Sequence, residues 1–173
     1  MTKRQEYKVL QSFPDFEVRQ YLPCVLAQVK VSANYESAAS MAFATLFRYI
    51  SKGNKSSEKI AMTSPVLQKQ EKKGQWIVNF MMPEKYSKKS LPIPMDNDIR
   101  IIQTAPYSTV SIRFSGSASK RNLKDHQNKL DEFLLSRKIN TIGEPEYAFY
   151  DAPFVPPMFR RNEIHYRIFE SSN

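Results

Sequence analysis

Val25, Ala27, Val29 and Val31 alternate with mostly polar neighbours, and Val110, Ile112 and Phe114 alternate in the same way with Ser111 and Arg113. Such period-two patterning marks strands that bury one face. Each run follows a second strand-like stretch and a proline. The first stretch is Asp15-Phe16-Glu17-Val18-Arg19-Gln20-Tyr21 before Pro23; the second runs from Asp98 through Ile99, Arg100, Ile101, Ile102, Gln103 and Thr104 to Pro106. The second copy follows the first by 83 positions at Asp15/Asp98, Val18/Ile101 and Pro23/Pro106. An echo at fixed separation predicts a repeated structural unit.

After each strand pair the period becomes helical, over residues 36–50 in the first copy and 119–137 in the second. Strands return at 65–69 and 75–81, where Trp76, Val78 and Phe80 share a face, and at 147–150 and 163–169, where Ile164, Tyr166 and Ile168 do. Neither half can cover its own sheet completely, so two four-stranded sheets with one helix each are expected to curl around one apolar centre. The predicted fold is therefore α+β, a distorted antiparallel β-barrel with two helices and a pseudo-two-fold repeat. The expected extent is a single domain over 1–173, with repeat one at about 6–83 and repeat two at about 96–169.

The two helices differ. Residues 119–137 place Leu123, Leu130, Phe133 and Leu134 on one side and Lys120, Arg121, Lys124, Asp125, Lys129 and Asp131 over much of the rest, an ordinary amphipathic pattern. In residues 36–50, apolar side chains including Ala42, Phe43, Leu46, Phe47, Tyr49 and Ile50 sweep an arc of about 160° at ~100° per residue. Only Glu36 and Arg48 carry charge there. An arc that broad exceeds what one sheet needs, so part of it is expected to line a groove or meet a partner, with Phe43 and Phe47 as wall residues. Residues 152–161, stiffened by Pro153, Pro156 and Pro157, carry Phe154, Val155, Met158 and Phe159 and end in Arg160 and Arg161, two guanidiniums suited to carboxylates.

Composition narrows the chemistry. The 173 residues are 41% hydrophobic, enough for one core, and only 4 are glycine, which argues against long flexible linkers. Cys24 is the only cysteine, excluding an intrachain disulfide and a cysteine-based zinc site, and favouring a reducing compartment. The start of the chain is polar and no apolar run approaches the ~20 residues of a spanning helix, so a soluble cytoplasmic protein is expected. A net charge of +9 favours anionic partners, yet the basic residues are dispersed and form no nucleic-acid signature. No metal-binding pattern, nucleophile elbow or phosphate-cradling loop is present, and two histidines are too few for several acid–base schemes.

Lys59 to Val66 (KIAMTSPV) and Arg160-Arg161-Asn162-Glu163-Ile164 form the most specific pair of strings. With Phe16 to Tyr21, Asn54, Met82-Pro83, Phe114-Ser115-Gly116 and Tyr150-Asp151-Ala152-Pro153, the chain resembles the SOUL haem-binding proteins from Tyr7 to Phe169. The resemblance implies an eight-stranded distorted barrel and capacity to bind haem or a related tetrapyrrole in a shallow apolar groove beside the first helix. Several of these residues also fit structural roles: Asn54 and Pro65 in turns, Met62 and Val66 in sheet packing, Glu163 holding Lys59, Arg160 or a backbone amide.

One family branch is credited with an axial histidine at the position that Gln20 occupies here, and glutamine is a poor ligand for haem iron. His126 and His165 are expected at surface or interfacial positions. The other branch binds haem mainly by apolar contact with the first helix; where it carries an arginine and a methionine, this chain has Ser40 and Phe43. Haem binding is accordingly expected to be weak, without strong axial ligation, resting on stacking and Arg/Lys pairing, and not essential for folding. The expected contacts are Ser40, Phe43, Phe47, Phe154, Met158, Arg160 and Arg161. The chain reads as a carrier or buffer of haem or another hydrophobic anion, not an enzyme, with no metal site, nucleic acid or stable membrane insertion. The alternatives are a small-molecule binder or hydrolase of the related bacterial superfamily, for which Glu163 with Tyr150 or Tyr166 is the candidate cluster, and a protein partner on the first helix.

Overall fold

The computed structural model describes residues 3–169; Met1 and Thr2 of the polar start, and residues 170–173, lie outside the described residues. The elements in chain order are β1 (Lys3–Arg4), β2 (Tyr7–Ser12), β3 (Phe16–Tyr21), β4 (Val25–Ser32), α1 (Tyr35–Ile50), β5 (Thr63–Ser64), β6 (Val66–Lys72), β7 (Gln75–Met81), β8 (Arg100–Gln103), β9 (Tyr107–Phe114), α2 (Lys120–Ser136), β10 (Thr141–Phe149) and β11 (Asn162–Ile168). The content is α+β, as the patterning predicts. No described helix is long and apolar enough to cross a membrane.

Two compact units divide the chain. One holds residues 3–5 and Pro23–Ala105, the other Glu6–Leu22 and residues 106–169. Pro23 and Pro106, the paired prolines of the echo, stand at the two crossings. The strand pair in each copy is therefore not a hairpin: β3 hydrogen-bonds to β9 and β8 to β4, so each copy contributes its leading strand to the unit that holds the other helix.

In the first unit β6, β7, β4 and β8 form an antiparallel sheet in that order, and β1 pairs with β5 in parallel. Register sets Ala27 opposite Phe80 and Val29 opposite Val78, making one apolar face. Ala42, Leu46, Tyr49 and Ile50 of α1 join these residues in a single buried cluster with Ile60, Met82 and Leu91. Full burial of each large side chain stabilises the fold by roughly 1.5–3 kcal/mol. The side-chain oxygen of Asn34 accepts from the Ser37 amide at 2.9 Å and caps the start of α1. At its end, buried Asn54 donates to the carbonyls of Tyr49 and Glu58 and accepts from the Glu58 amide. That is the turn chemistry expected of Asn54, and Met62 and Val66 pack against the core as expected.

The second unit orders its strands β2, β3, β9, β11, β10. Ser119 caps α2, whose Leu123, Leu130 and Leu134 are buried. They cover the sheet face that holds Val110, Ile112 and Ile164. β2 carries no sequence signal because five of its six residues are exposed, leaving no alternation to read. The opposite face of this sheet is polar and buried, and the candidate chemistry of the unit lies there.

Candidate functional site

On α1 the broad apolar arc separates into two parts. Ala42, Leu46, Tyr49 and Ile50 are core, whereas Met41, Phe43 and Phe47 are 52%, 40% and 49% exposed. The rings of Phe43 and Phe47 are nearly parallel, with centroids 5.7 Å apart and planes at 12°. Phe43 also meets Phe80 of β7 edge-on at 5.2 Å, which fixes one member of the pair against the core. Ser40 is exposed one turn earlier and donates to the carbonyl of Ser37. Arg48 is mostly exposed and pairs loosely with Asp96 at 3.8 Å. The result is a fixed apolar shelf with one cation nearby.

In the second unit Glu163 is fully buried. Its Oε2 accepts from Arg19 Nη1 at 2.6 Å, His165 Nε2 at 2.7 Å and the Tyr150 hydroxyl at 3.1 Å. Its Oε1 accepts from Arg19 Nη2 at 3.2 Å and Arg161 Nε at 2.8 Å. Burial alone would raise the carboxyl pKa; the hydrogen bond from His165 and the hydrogen bonds and charge of Arg19 override it and hold the group well below the usual carboxylate range. Arg19 is pushed the other way, because its pairing with Glu163 outweighs desolvation. Burial raises the Tyr150 hydroxyl far above its ordinary value, with Glu163 adding to the effect. Period-two register builds this network: His165 stands opposite Ser111, Glu163 opposite Arg113, and Glu17 and Arg19 opposite Ser111 and Thr109.

Residues 152–161 border the same network. Arg160 donates from Nε to the Val155 carbonyl at 2.7 Å and from Nη2 to the Pro153 carbonyl, so its guanidinium staples its own loop. Gly116, at φ 103°, donates its amide to Pro157 and its carbonyl accepts from Asn162 Nδ2, both at 2.9 Å. A Cβ there would approach Asn122 Nδ2 to 2.7 Å, which gives Gly116 a physical role in holding the loop. The loop borders a cavity of about 630 Å³ whose walls include Met158, Arg160 and Arg161. Phe154 is 89% exposed and is not among the lining residues.

Of the seven expected contacts, Ser40, Phe43 and Phe47 thus stand together on α1 in the first unit, and Met158, Arg160 and Arg161 at one cavity in the second. Two expectations are corrected. His165 is buried, 3% exposed, because its strand position turns it onto the polar face beside Glu163. Glu163 is held by Arg19, Arg161, His165 and Tyr150; the expected partner Arg160 is occupied by loop carbonyls, and Tyr166 bonds to Gln127 instead. His126 is half-buried, with Nδ1 at 2.8 Å from the Asn122 carbonyl and its ring stacked on Phe114 at 4.1 Å. Arg19 was not among the residues singled out for chemistry. Polar side chains at every second position, Glu17 and Arg19 in β3, Thr109, Ser111 and Arg113 in β9 and Glu163 and His165 in β11, mark a polar face, while the pairing of Arg19 with Glu163 across it follows from register.

The fold is shared with solved structures of low sequence identity. The C-terminal domain of EcmrR matches with a TM-score of 0.71 at 10% identity, covering 95% of this chain and 98% of that one. A hydrolase from Listeria innocua matches at 0.63 and 8% identity, over 92% and 94% of the two chains. SAV2435, solved bound to tetraphenylphosphonium, matches at 0.51 and 11% identity, over 95% and 94%. At these identities the likeness is one of fold. No curated protein matches the chain. A family model described as SOUL heme-binding protein matches residues 2–167, and the chain belongs to that family, which is a family of binding proteins and is not defined by a reaction.

Proposed function

We propose that this protein binds haem or a related tetrapyrrole on the exposed shelf of α1, as a carrier or buffer, without a strong axial histidine. The observation that carries the reading is the nearly parallel, exposed pair Phe43 and Phe47 on α1, its Phe43 member held by Phe80 of β7, on the helix beside which the family resemblance implies a haem groove. An apolar macrocycle gains by stacking on aromatic faces and by removing them from water. Ser40 replaces the cation that a propionate would meet, and Arg48, loosely paired, supplies one from the following turn. Phe154, Met158, Arg160 and Arg161 belong to the proposed contacts that the second unit offers to a hydrophobic anion. The eight-stranded barrel and its pseudo-two-fold repeat are part of the same proposal.

A binding role is favoured over hydrolysis by the state of Glu163. A general base needs a pKa near the working pH, and a carboxylate held ionised by two guanidiniums and an imidazole is too weak a base for that work. Tyr150, held neutral, donates to the same carboxylate. Haemin titration at micromolar protein tests the proposal. A saturable Soret change is expected, lost in the F43A/F47A double variant and unmoved in wavelength by H126Q or H165Q. Absence of a saturable change, or full retention in F43A/F47A, would overturn it.

A further inference from the structure

We infer that the cavity beside residues 152–161 is a second ligand site, specific for a small aromatic monoanion such as an aryl carboxylate or sulfonate. Its volume of about 630 Å³ lies within the range of small-molecule pockets. Tyr7, Phe13 and Phe16 supply aromatic wall, and each is held by a neighbouring side chain. Arg19 lies over the Tyr7 ring at 4.3 Å, Phe16 stacks on Phe133 at 4.2 Å, and Phe13 meets Phe133 edge-on at 4.9 Å. Met158 and Phe159, also at the cavity lining, are 68% and 75% exposed, apolar surface that a bound ring would cover.

Charge selects the ligand class. Glu163 is shared by Arg19 and Arg161, and Glu17 accepts from Arg19 Nε at 2.7 Å. Those two cations and two anions leave no net charge. The remaining ionised side chains at the lining are Arg113 and Arg160 against Asp15, an excess of one positive charge. The side chain of Arg113 is exposed and has no ion pair or hydrogen-bond partner among the described residues. The guanidinium of Arg160 is already immobilised by the Pro153 and Val155 carbonyls, so little further ordering is needed when an anion arrives. One negative charge on an aromatic body therefore completes the site. A phosphate monoester, with close to two charges, would exceed the available excess, and a lipophilic cation finds the buried carboxylate of Glu163 already saturated. The site shares Met158, Arg160 and Arg161 with the contacts proposed above but none of the α1 shelf, so a background without Phe43 and Phe47 separates the two readings.

The test uses 1-anilinonaphthalene-8-sulfonate as fluorescent probe with the full chain in the F43A/F47A background, which removes the shelf as a competing surface. Saturable fluorescence is expected. 1-Naphthoate should displace the probe, and 1-naphthylmethylamine, of similar size but cationic, should not. R113E should weaken probe binding by at least about tenfold, and R113K should restore most of it, since the altered side chain is exposed and circular dichroism can verify the fold. M158D provides a second variant on the apolar wall, expected to lose about tenfold as well. Non-saturable binding, equal displacement by the amine, or R113E within twofold of its background would overturn the assignment.

Discussion

Glu163 accepts hydrogen bonds from two guanidiniums, an imidazole and a phenol while fully buried, so each partner depends on the others for compensation. Removing the negative charge leaves Arg19, only 3% exposed, without its main counter-ion. E163Q is expected to lose about 3–5 kcal/mol in denaturant unfolding. The pH dependence has a definite sign. The folded pKa lies below the ordinary value of 4.5, so the ionised carboxylate stabilises the fold fully above about pH 4.5, and this contribution declines as the pH falls toward the folded value. Wild type should therefore lose stability on acidification below pH 4.5 more steeply than E163Q, and parallel acid limbs would contradict the network. Glu163 and Tyr150 were legible as a cluster because they sit in specific strings. Arg19 and His165 were not, since only strand register, which no local spacing reveals, turns them onto one face.

At the scale of the element, α1 combines two jobs on one helix. Leu46 is fully buried and Phe47, its neighbour in sequence, is half exposed. L46A is expected to cost about 2–5 kcal/mol, whereas F43A/F47A should cost less in stability per ring removed than the ~3–5 kcal/mol of a buried phenylalanine while abolishing haemin binding. Urea unfolding of both variants, with haemin titration of the second, separates core from shelf; a destabilisation of F43A/F47A equal to two buried rings would make the shelf core. The helix itself was readable nearly to its ends, 36–50 from pattern against Tyr35–Ile50 in the structure. Its excess of apolar surface was equally visible, because three exposed large side chains lie beside five buried positions on the wheel. β2 was invisible for the opposite reason, an edge strand exposed at almost every residue.

At the scale of the molecule, the 83-residue echo identified repeated strand and helix types but could not reveal their partners. Each copy places its leading strand, β3 or β8, beside a strand of the other copy, with Pro23 and Pro106 at the crossings. Such pairing is non-local and depends on which sheet edge accepts the strand, information that period-two alternation does not carry. The family strings were more informative: Asn54 ties the end of α1 to Glu58, and Gly116 with Asn162 anchors the loop before β11. The haem reading rests on α1, and ferric haem offers a direct probe because its unpaired electrons broaden nearby NMR signals. In ¹H–¹⁵N spectra recorded with substoichiometric haemin, broadening is expected to centre on the amides of Ser40, Phe43 and Phe47 and to reach Phe80. Broadening centred on Tyr7, Phe16 and Met158, or on His165, with the α1 amides unaffected, would contradict it.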